Sequence, residues 1–324
     1  MDHGVPAGVR AQRTLRDSVS LCGRGLHTGG WTEVRIDPAE PGTGFRFERL
    51  DVARGHRIIN AHWSRIRDHQ LCTTLGNEHG VTVSTVEHLL AALVLADLDN
   101  ALIRIDSPEV PILDGSAAPI LDTLLRTGTK AQDAPRRVLR VMRPVALRLG
   151  SRYALATPSR EPSLAATIEF PDPLVGRQSL GVRLHSPVTQ SIAAARSFGF
   201  MADVGHLLKR GLGRGGSLDN AVLVENGRVL NTEGLRFPDE FVRHKILDCI
   251  GDLALMRGRV IADFRFERPG HQLNHALVSR MATLGDAVRW DLDCAPEQFP
   301  SAQRLPARPP VRLQLIQGRG ESNV

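Results

Sequence analysis

The chain has 324 residues, 42% hydrophobic and 23% charged, with a formal net charge of +6. That is ordinary globular composition, enough for one large domain or two medium ones. Four scattered cysteines (Cys22, Cys72, Cys249, Cys294) with no CxxC pair argue against a disulfide framework or a structural zinc knuckle, and suit a reducing compartment.

The N-terminal stretch MDHGVPAGVRAQRTL lacks the apolar segment of a signal peptide. The longest apolar run, LLAALVLADL at 89–98, is about half a membrane span. A soluble, cytoplasmic protein without a transmembrane segment is expected. The positive charge invites a nucleic-acid reading, but only three lysines occur (Lys130, Lys209, Lys245) and the arginines are dispersed, with no basic run. No nucleic-acid partner is expected; the excess charge suits an anionic small molecule such as a nucleotide sugar.

In chain order, the first half alternates strand-like runs with turns: WTEVRIDP, GFRFER, CTTLGN and VTVS. Periodicity predicts a helix from about Thr85 to Leu95, the strand NALIRID at 100–106, and a helix at 117–128. Residues 129–138, TKAQDAPRRV, are polar, contain proline and lack periodicity, so they read as a linker. Beyond it come the strand-like runs VLRVMRPVALRL and LAATIEF, and a loop-rich, glycine-rich stretch at 196–218. The strand AVLVENG, a helix at 239–256 and the strand RVIADFRF follow. The expected domains are 1–128 and 139–304, with a mobile polar tail at 305–324.

The halves echo each other. EHLLAALVLADLDNALIRID and RHKILDCIGDLALMRGRVIADFRF are each a helix with His near its start, a tight turn and a strand. Two diverged copies of one unit, giving an α+β fold with helices on largely antiparallel sheets, explain this.

Three segments carry candidate chemistry. FVRHKILDCIGDL (241–253) lines up His244, Asp248 and Asp252 at four-residue steps, with Lys245 beside them. Side chains four apart share a helix face, so His244 and Asp248 suit two ligands of one metal; a solvated ion pair explains them as well. STVEHLLAAL (84–93) offers His88, which a helix N-terminus keeps neutral and able to ligate. Its Glu87 fits either a capping box with Ser84 or a base beside a metal's water. ERPGHQLNHALV (267–278) offers His271 on a loop entering a cleft. His275, four residues on, is a rival ligand or a packed helix residue.

LNTEGLRFPDEFVRHKILDCIGDLALMRG, with STVEHLLAAL, EVPILDGSAAP, RSFGFM and GHQLNHALV, resembles the UDP-3-O-acyl-N-acetylglucosamine deacetylase family, in collinear order from about Arg13 to about Leu284. The resemblance implies two α+β domains of similar topology, their helix layers facing each other between the sheets. It implies a zinc amidase that removes the N-acetyl group in the committed step of lipid A synthesis in Gram-negative bacteria, acting as a monomer, with ferrous iron an alternative metal in the cell. His88, His244 and Asp248 look like the three metal ligands, with water in the fourth position. Glu87 resembles the general base, His271 the general acid or electrostatic partner oriented by Asp252, and Lys245 a positive charge near the substrate. Ser197 stands where threonine is expected and keeps a hydroxyl for the oxyanion. Phe198, Phe200 and Met201 open the insert that forms an apolar passage for the acyl chain, and Phe170 matches a residue of the nucleotide end. Asp172 stands where histidine is usual, and Cys72 lies near the metal without being a required ligand.

Two rivals remain. A zinc amidase for another acylated sugar shares the metal residues without needing RSFGFM. A basic binding module makes the His/Asp face structural, and bound zinc versus salt-dependent nucleic-acid binding separates it from the enzyme.

Overall fold

Strict alternation gives each strand one apolar face. Trp31–Pro38 buries Thr32, Val34 and Ile36, and Ser163–Glu169 buries Leu164, Ala166 and Ile168. The computed structural model describes residues 5–184 and 188–294; the tail expected at 305–324 lies outside them.

Each half holds a five-stranded sheet of one topology. In the first, Val19–Arg24 pairs with Trp31–Pro38, and Phe45–Arg49 with Ile58–Asn60, both antiparallel. The last strand, Ala101–Ile105, inserts between these hairpins, antiparallel to Trp31–Pro38 and parallel to Phe45–Arg49. In the second, Val145–Leu149 with Arg152–Thr157 and Ser163–Glu169 with Arg177–Arg183 repeat the hairpins. Asp263–Glu267 inserts between them with the same senses. The echo read from the sequence is thus a repeat of topology.

Six helices occur among the described residues: α1 (Glu87–Leu95), α2 (Ala118–Thr127), α3 (Val188–Ala193), α4 (Met201–Lys209), α5 (Glu240–Leu253) and α6 (His271–Thr283). In each half one helix leads into the inserted strand, α1 or α5, and one follows it, α2 or α6. Helices α5 and α6 pack on the second sheet, and α1 packs on α5. The Leu- and Ala-rich α1 is buried from Glu87 to Leu93, as a helix enclosed between layers must be. The α+β class and the facing helix layers agree with the expectation.

Each repeat also carries its extra structure in the same slot, between its fourth strand and the helix before its inserted strand. The first holds a small sheet of Ile66–Asp68, Thr74–Gly76 and Thr82–Val83. The second holds α3, the strands Phe198–Phe200, Val222–Glu225 and Arg228–Val229, and α4.

Three expectations change. Residues 129–138 connect the halves as structure: Thr129–Pro135 is a strand antiparallel to Ala11–Leu15. Its polarity reflects a strand with no buried residue, and Pro135 sits at its end, where a missing N–H costs least. The 196–218 stretch is a strand and a helix before it is a glycine-rich turn. His271 opens α6 instead of standing on a loop, because extended Gly270 ends the preceding segment there.

Among the tightest contacts between the halves is Gly251 of α5, where a Cβ would lie 2.1 Å from the Glu87 carbonyl oxygen of α1. A Gly251→Ala protein is therefore expected to lose stability despite alanine's better helix propensity, by at least the roughly 1–3 kcal/mol typical of overpacking. Urea unfolding of the two proteins measures this; equal or greater stability of the variant would mean that α1 moves aside at no cost.

Candidate metal centre and catalytic cleft

The α1–α5 contact brings together the ends of two segments that chemistry links. His244, Asp248 and Asp252 lie on the inner face of α5 and are almost wholly buried, which removes the solvated ion-pair reading. Across from them, the first turn of α1 presents Glu87 and His88. The preceding Thr85 has φ 57, an uncommon conformation for a β-branched residue, and its hydroxyl donates to the buried Glu109 carboxylate at 3.0 Å. Glu109 also accepts the backbone N–H groups of His27 and Thr28, so one buried carboxylate fixes the approach to α1.

The capping box does not form. Helix α1 starts at Glu87, the Ser84 hydroxyl donates to the Pro108 carbonyl, and the Glu87 Oε2 accepts the backbone N–H of Thr73 at 3.0 Å. The Glu87 Oε1 faces His271 Nε2 at 3.7 Å. Glu87 is thus a cleft residue.

His88 Nε2 and His244 Nε2 lie 3.6 and 3.4 Å from Asp248 Oδ1, the two rings edge to face. These distances are long for hydrogen bonds, and Asp248 Oδ1 is buried with no hydrogen-bond partner. Its other oxygen accepts from Lys245 Nζ at 2.8 Å. His244 Nδ1 donates to the Ala195 carbonyl at 3.1 Å, which fixes the tautomer and leaves Nε2 as a free lone pair. Burial pushes His244 down to about 4 against the pull of Asp248, so the ring is neutral at ordinary pH. Two imidazole nitrogens and an orphaned carboxylate oxygen converging on one point fit a divalent cation, and a three-residue N,N,O set suits zinc with a position left open.

A second cluster, Asp252, His271 and His275, has metal-like proximity but different chemistry. Asp252 Oδ1 accepts from Thr73 Oγ1 at 2.5 Å and is 3.0 Å from His275 Nε2; Oδ2 is 2.9 Å from His271 Nδ1 and accepts from Asn274 Nδ2 at 2.8 Å. Four donors on two oxygens satisfy this carboxylate without a cation. Burial opposes charge on His271, but Asp252 and then Glu87 outweigh it and raise the ring to about 9. His271 therefore carries a proton toward the Glu87 side of the cleft. Burial also disfavours charge on Lys245, yet Asp248 holds its pKa above the usual value.

The insert supplies an apolar wall. Phe198 lies 6.3 Å from the His244 ring and 4.9 Å from Phe241, with Lys245 Nζ 5.5 Å from its centre. Phe170 meets Phe198 edge to face and Phe200 at a tilt, with ring centres 5.5 Å apart in each pair. Met201 opens α4 and is 40% exposed. Ser197 lies between Ala195, which holds His244, and Phe198; its N–H donates to the Gly115 carbonyl at 2.7 Å. Wholly buried Arg196 clamps this stretch to the start of α5 through Glu240 at 2.9 Å and Glu233 at 2.5 Å. Asp172 holds a turn, accepting the N–H groups of Leu174 and Gly227. Burial and Glu87 raise the Cys72 thiol to about 12, which keeps it protonated and a poor ligand.

Thr73 and Arg196 escape sequence reasoning because their partners lie far along the chain and no spacing flags them. His275 read as a ligand or a packed residue, and its bond to Asp252 needs the α5–α6 packing to be seen.

Residues 12–283 match the family model described as UDP-3-O-acyl N-acetylglycosamine deacetylase. The chain is 42% identical over 279 residues to the UDP-3-O-acyl-N-acetylglucosamine deacetylase of Phenylobacterium zucineum, covering 86% of this chain and 95% of that one. It is 44% identical over 271 residues to the Myxococcus xanthus protein of the same name, covering 83% and 86%. The Haemophilus influenzae (strain 86-028NP) protein, also so named, is 39% identical over 302 residues, covering 92% and 98%.

The orphaned Asp248 oxygen generates a direct expectation. Alanine at His88, His244 or Asp248 should each abolish tight zinc binding in metal analysis of the purified protein. His275→Ala should keep one zinc per chain, because His275 serves Asp252. Full zinc in any of the first three variants, or its loss in the fourth, would reassign the ligand set.

Proposed function

The chain belongs to the UDP-3-O-acyl N-acetylglycosamine deacetylase family, and on that premise we propose that it hydrolyses the N-acetyl group of UDP-3-O-acyl-N-acetylglucosamine, releasing acetate and the free amine for lipid A synthesis. The observation that carries the reading is the buried, unpartnered Asp248 oxygen facing two imidazole nitrogens, with Glu87 and a protonated His271 beside it. The active unit is read as a cytoplasmic monomer, since one chain contributes every group named.

His88, His244 and Asp248 hold the ion, taken as zinc, with ferrous iron an alternative in the cell. When bound, such an ion lowers the pKa of water toward neutrality and polarises a carbonyl oxygen. The residues of the chain do the rest. Glu87, oriented by the Thr73 N–H, accepts a proton from the water whose oxygen bonds to the acetyl carbon. The carbonyl electrons move to oxygen, and the charge that develops there is favoured by Lys245, the His271 cation and the Ser197 hydroxyl. His271, held by Asp252, gives its proton to the sugar nitrogen as the C–N bond breaks, and the amine leaves. Asp252 keeps the ring in place and stabilises its charge without losing or gaining a proton. The aromatic wall of Phe198 and Phe200, continued by Met201, takes the 3-O-acyl chain, and Phe170 beside it serves the nucleotide end. Each methylene removed from water contributes about 0.8 kcal/mol, and that remote binding energy positions the amide.

Two experiments test this. The first measures acetate release from the UDP-3-O-acyl substrate by metal-loaded protein, native and Glu87→Gln. A general base predicts a fall of roughly 10²–10⁴ in rate for a variant that stays folded and keeps its metal. A Glu87→Gln protein with near-native turnover would return Glu87 to a structural role, and absence of release from the native protein would remove the substrate assignment. The second compares long-chain and short-chain substrates. A large loss of kcat/KM is expected for the short analogue, and a smaller gap in Phe200→Ala; equal values for both substrates would make the phenylalanines mere packing.

A further inference from the structure

A cavity of about 500 Å3 opens between the halves, at the ends of α1 and α5 away from the catalytic groups. Val94, near the end of α1, lines it, and Glu87 begins the same helix seven residues earlier. The two places are thus about 10 Å apart along the helix axis. None of Glu87, His88, His244, Asp248 or His271 lines the cavity.

Its lining divides by chemistry. Phe45, Leu98, Leu139, Met256 and Val288 make an apolar floor. Arg137, Arg257 and Arg259 make a cationic side, and the one acid in the lining is Asp99. Asp99 is already engaged, by Arg136 at 2.6 and 3.0 Å and by the Arg13 N–H at 2.7 Å. Arg259 pairs with Asp97 through Nη2, yet its buried Nε has no hydrogen-bond partner. Arg137 lies 5.4 Å from the Trp290 ring centre; neither it nor the exposed Arg257 has a carboxylate partner among the described residues. Arg137, Arg257 and Arg259 all line the cavity, and an anionic group there would find guanidinium partners of which two have no carboxylate of their own among the described residues. Burial, with the neighbouring Arg136, lowers the Arg259 pKa against the pull of Asp97, Asp99 and Asp293.

We propose that this cavity binds an amphiphilic anion, a single acyl chain lying on the apolar floor with its carboxylate or phosphate head against Arg137, Arg257 and Arg259. An apolar floor alone would take any hydrocarbon, and arginines alone any phosphate. Both in one concavity of ligand-sized volume select a molecule with both parts.

The fluorescence of the native chain reports on the site. Of three tryptophans, Trp63 and Trp290 line the cavity and Trp31 is exposed on the first sheet. The full-length, metal-loaded protein is titrated with decanoate, decyl phosphate, decanol and inorganic phosphate. Decanoate or decyl phosphate should give a saturable change, at least tenfold tighter than decanol or inorganic phosphate. The tighter of the two heads tells whether a fatty acid or a phosphorylated lipid is the natural source. R137Q/R257Q should weaken the response at least tenfold while keeping the melting temperature and deacetylation rate; if the pair fails to fold, R257Q alone makes the comparison. Phe200→Ala, in the acyl passage, should leave the response unchanged. Equal binding of decanol or of inorganic phosphate, no saturable response, no effect of the arginine variants, or loss of the response in Phe200→Ala would each overturn the proposal.

Discussion

The approach of α5 to α1 at Gly251 sets the distances between the cleft residues that the two helices carry. With no side chain at that position, the α5 backbone lies against the Glu87 carbonyl. A glycine inside a helix costs roughly 0.5–1 kcal/mol relative to alanine, so its presence here reflects packing and not propensity. Because the backbones touch, short side chains on either side can meet. His88 reaches Asp248, and Glu87 reaches the group that Asp252 orients. Longer side chains spanning a wider gap would carry more rotamer freedom and a looser geometry.

Close approach has an electrostatic cost that the remaining residues offset. Asp248 and Asp252 are both buried and both held below the usual carboxylate range: burial opposes their charge, but the Lys245 ammonium outweighs it at the first, and chiefly His271 at the second. The two sites differ in completeness. Asp252 has all its acceptor positions filled from within the chain, whereas Asp248 keeps one oxygen bare. A saturated carboxylate suits an anchor and a bare one suits a ligand, so the same residue type on one helix, one turn apart, is fitted to two roles.

Much of this was legible in the sequence because it is local. The four-residue steps on α5, the first-turn pair on α1 and the repeated helix–turn–strand pattern all lie within one element or its neighbour. What was illegible is long-range. Thr73 joins Asp252 across 179 residues, and Arg196 joins Glu240 across 44. No periodicity encodes such contacts. The capping-box motif of Ser84 and Glu87 misled for the complementary reason: it describes an isolated helix end, and here Thr73 and Pro108 claim the same atoms. The strand at 129–135 carried no apolar pattern because none of its residues is buried. His271 was placed on a loop because Pro269-Gly270 marks a break, and the break proves to be the start of α6.

The division of the site between the repeats has a thermodynamic side. His88 belongs to one repeat, and His244 and Asp248 to the other, so an ion bound by all three is held by both. Whatever binds only the assembled arrangement stabilises it in proportion to the logarithm of its concentration over its dissociation constant. The affinity of the cleft for its ion is then also an affinity of one half of the chain for the other. An enzyme built this way needs no separate device to keep its layers shut while it is loaded.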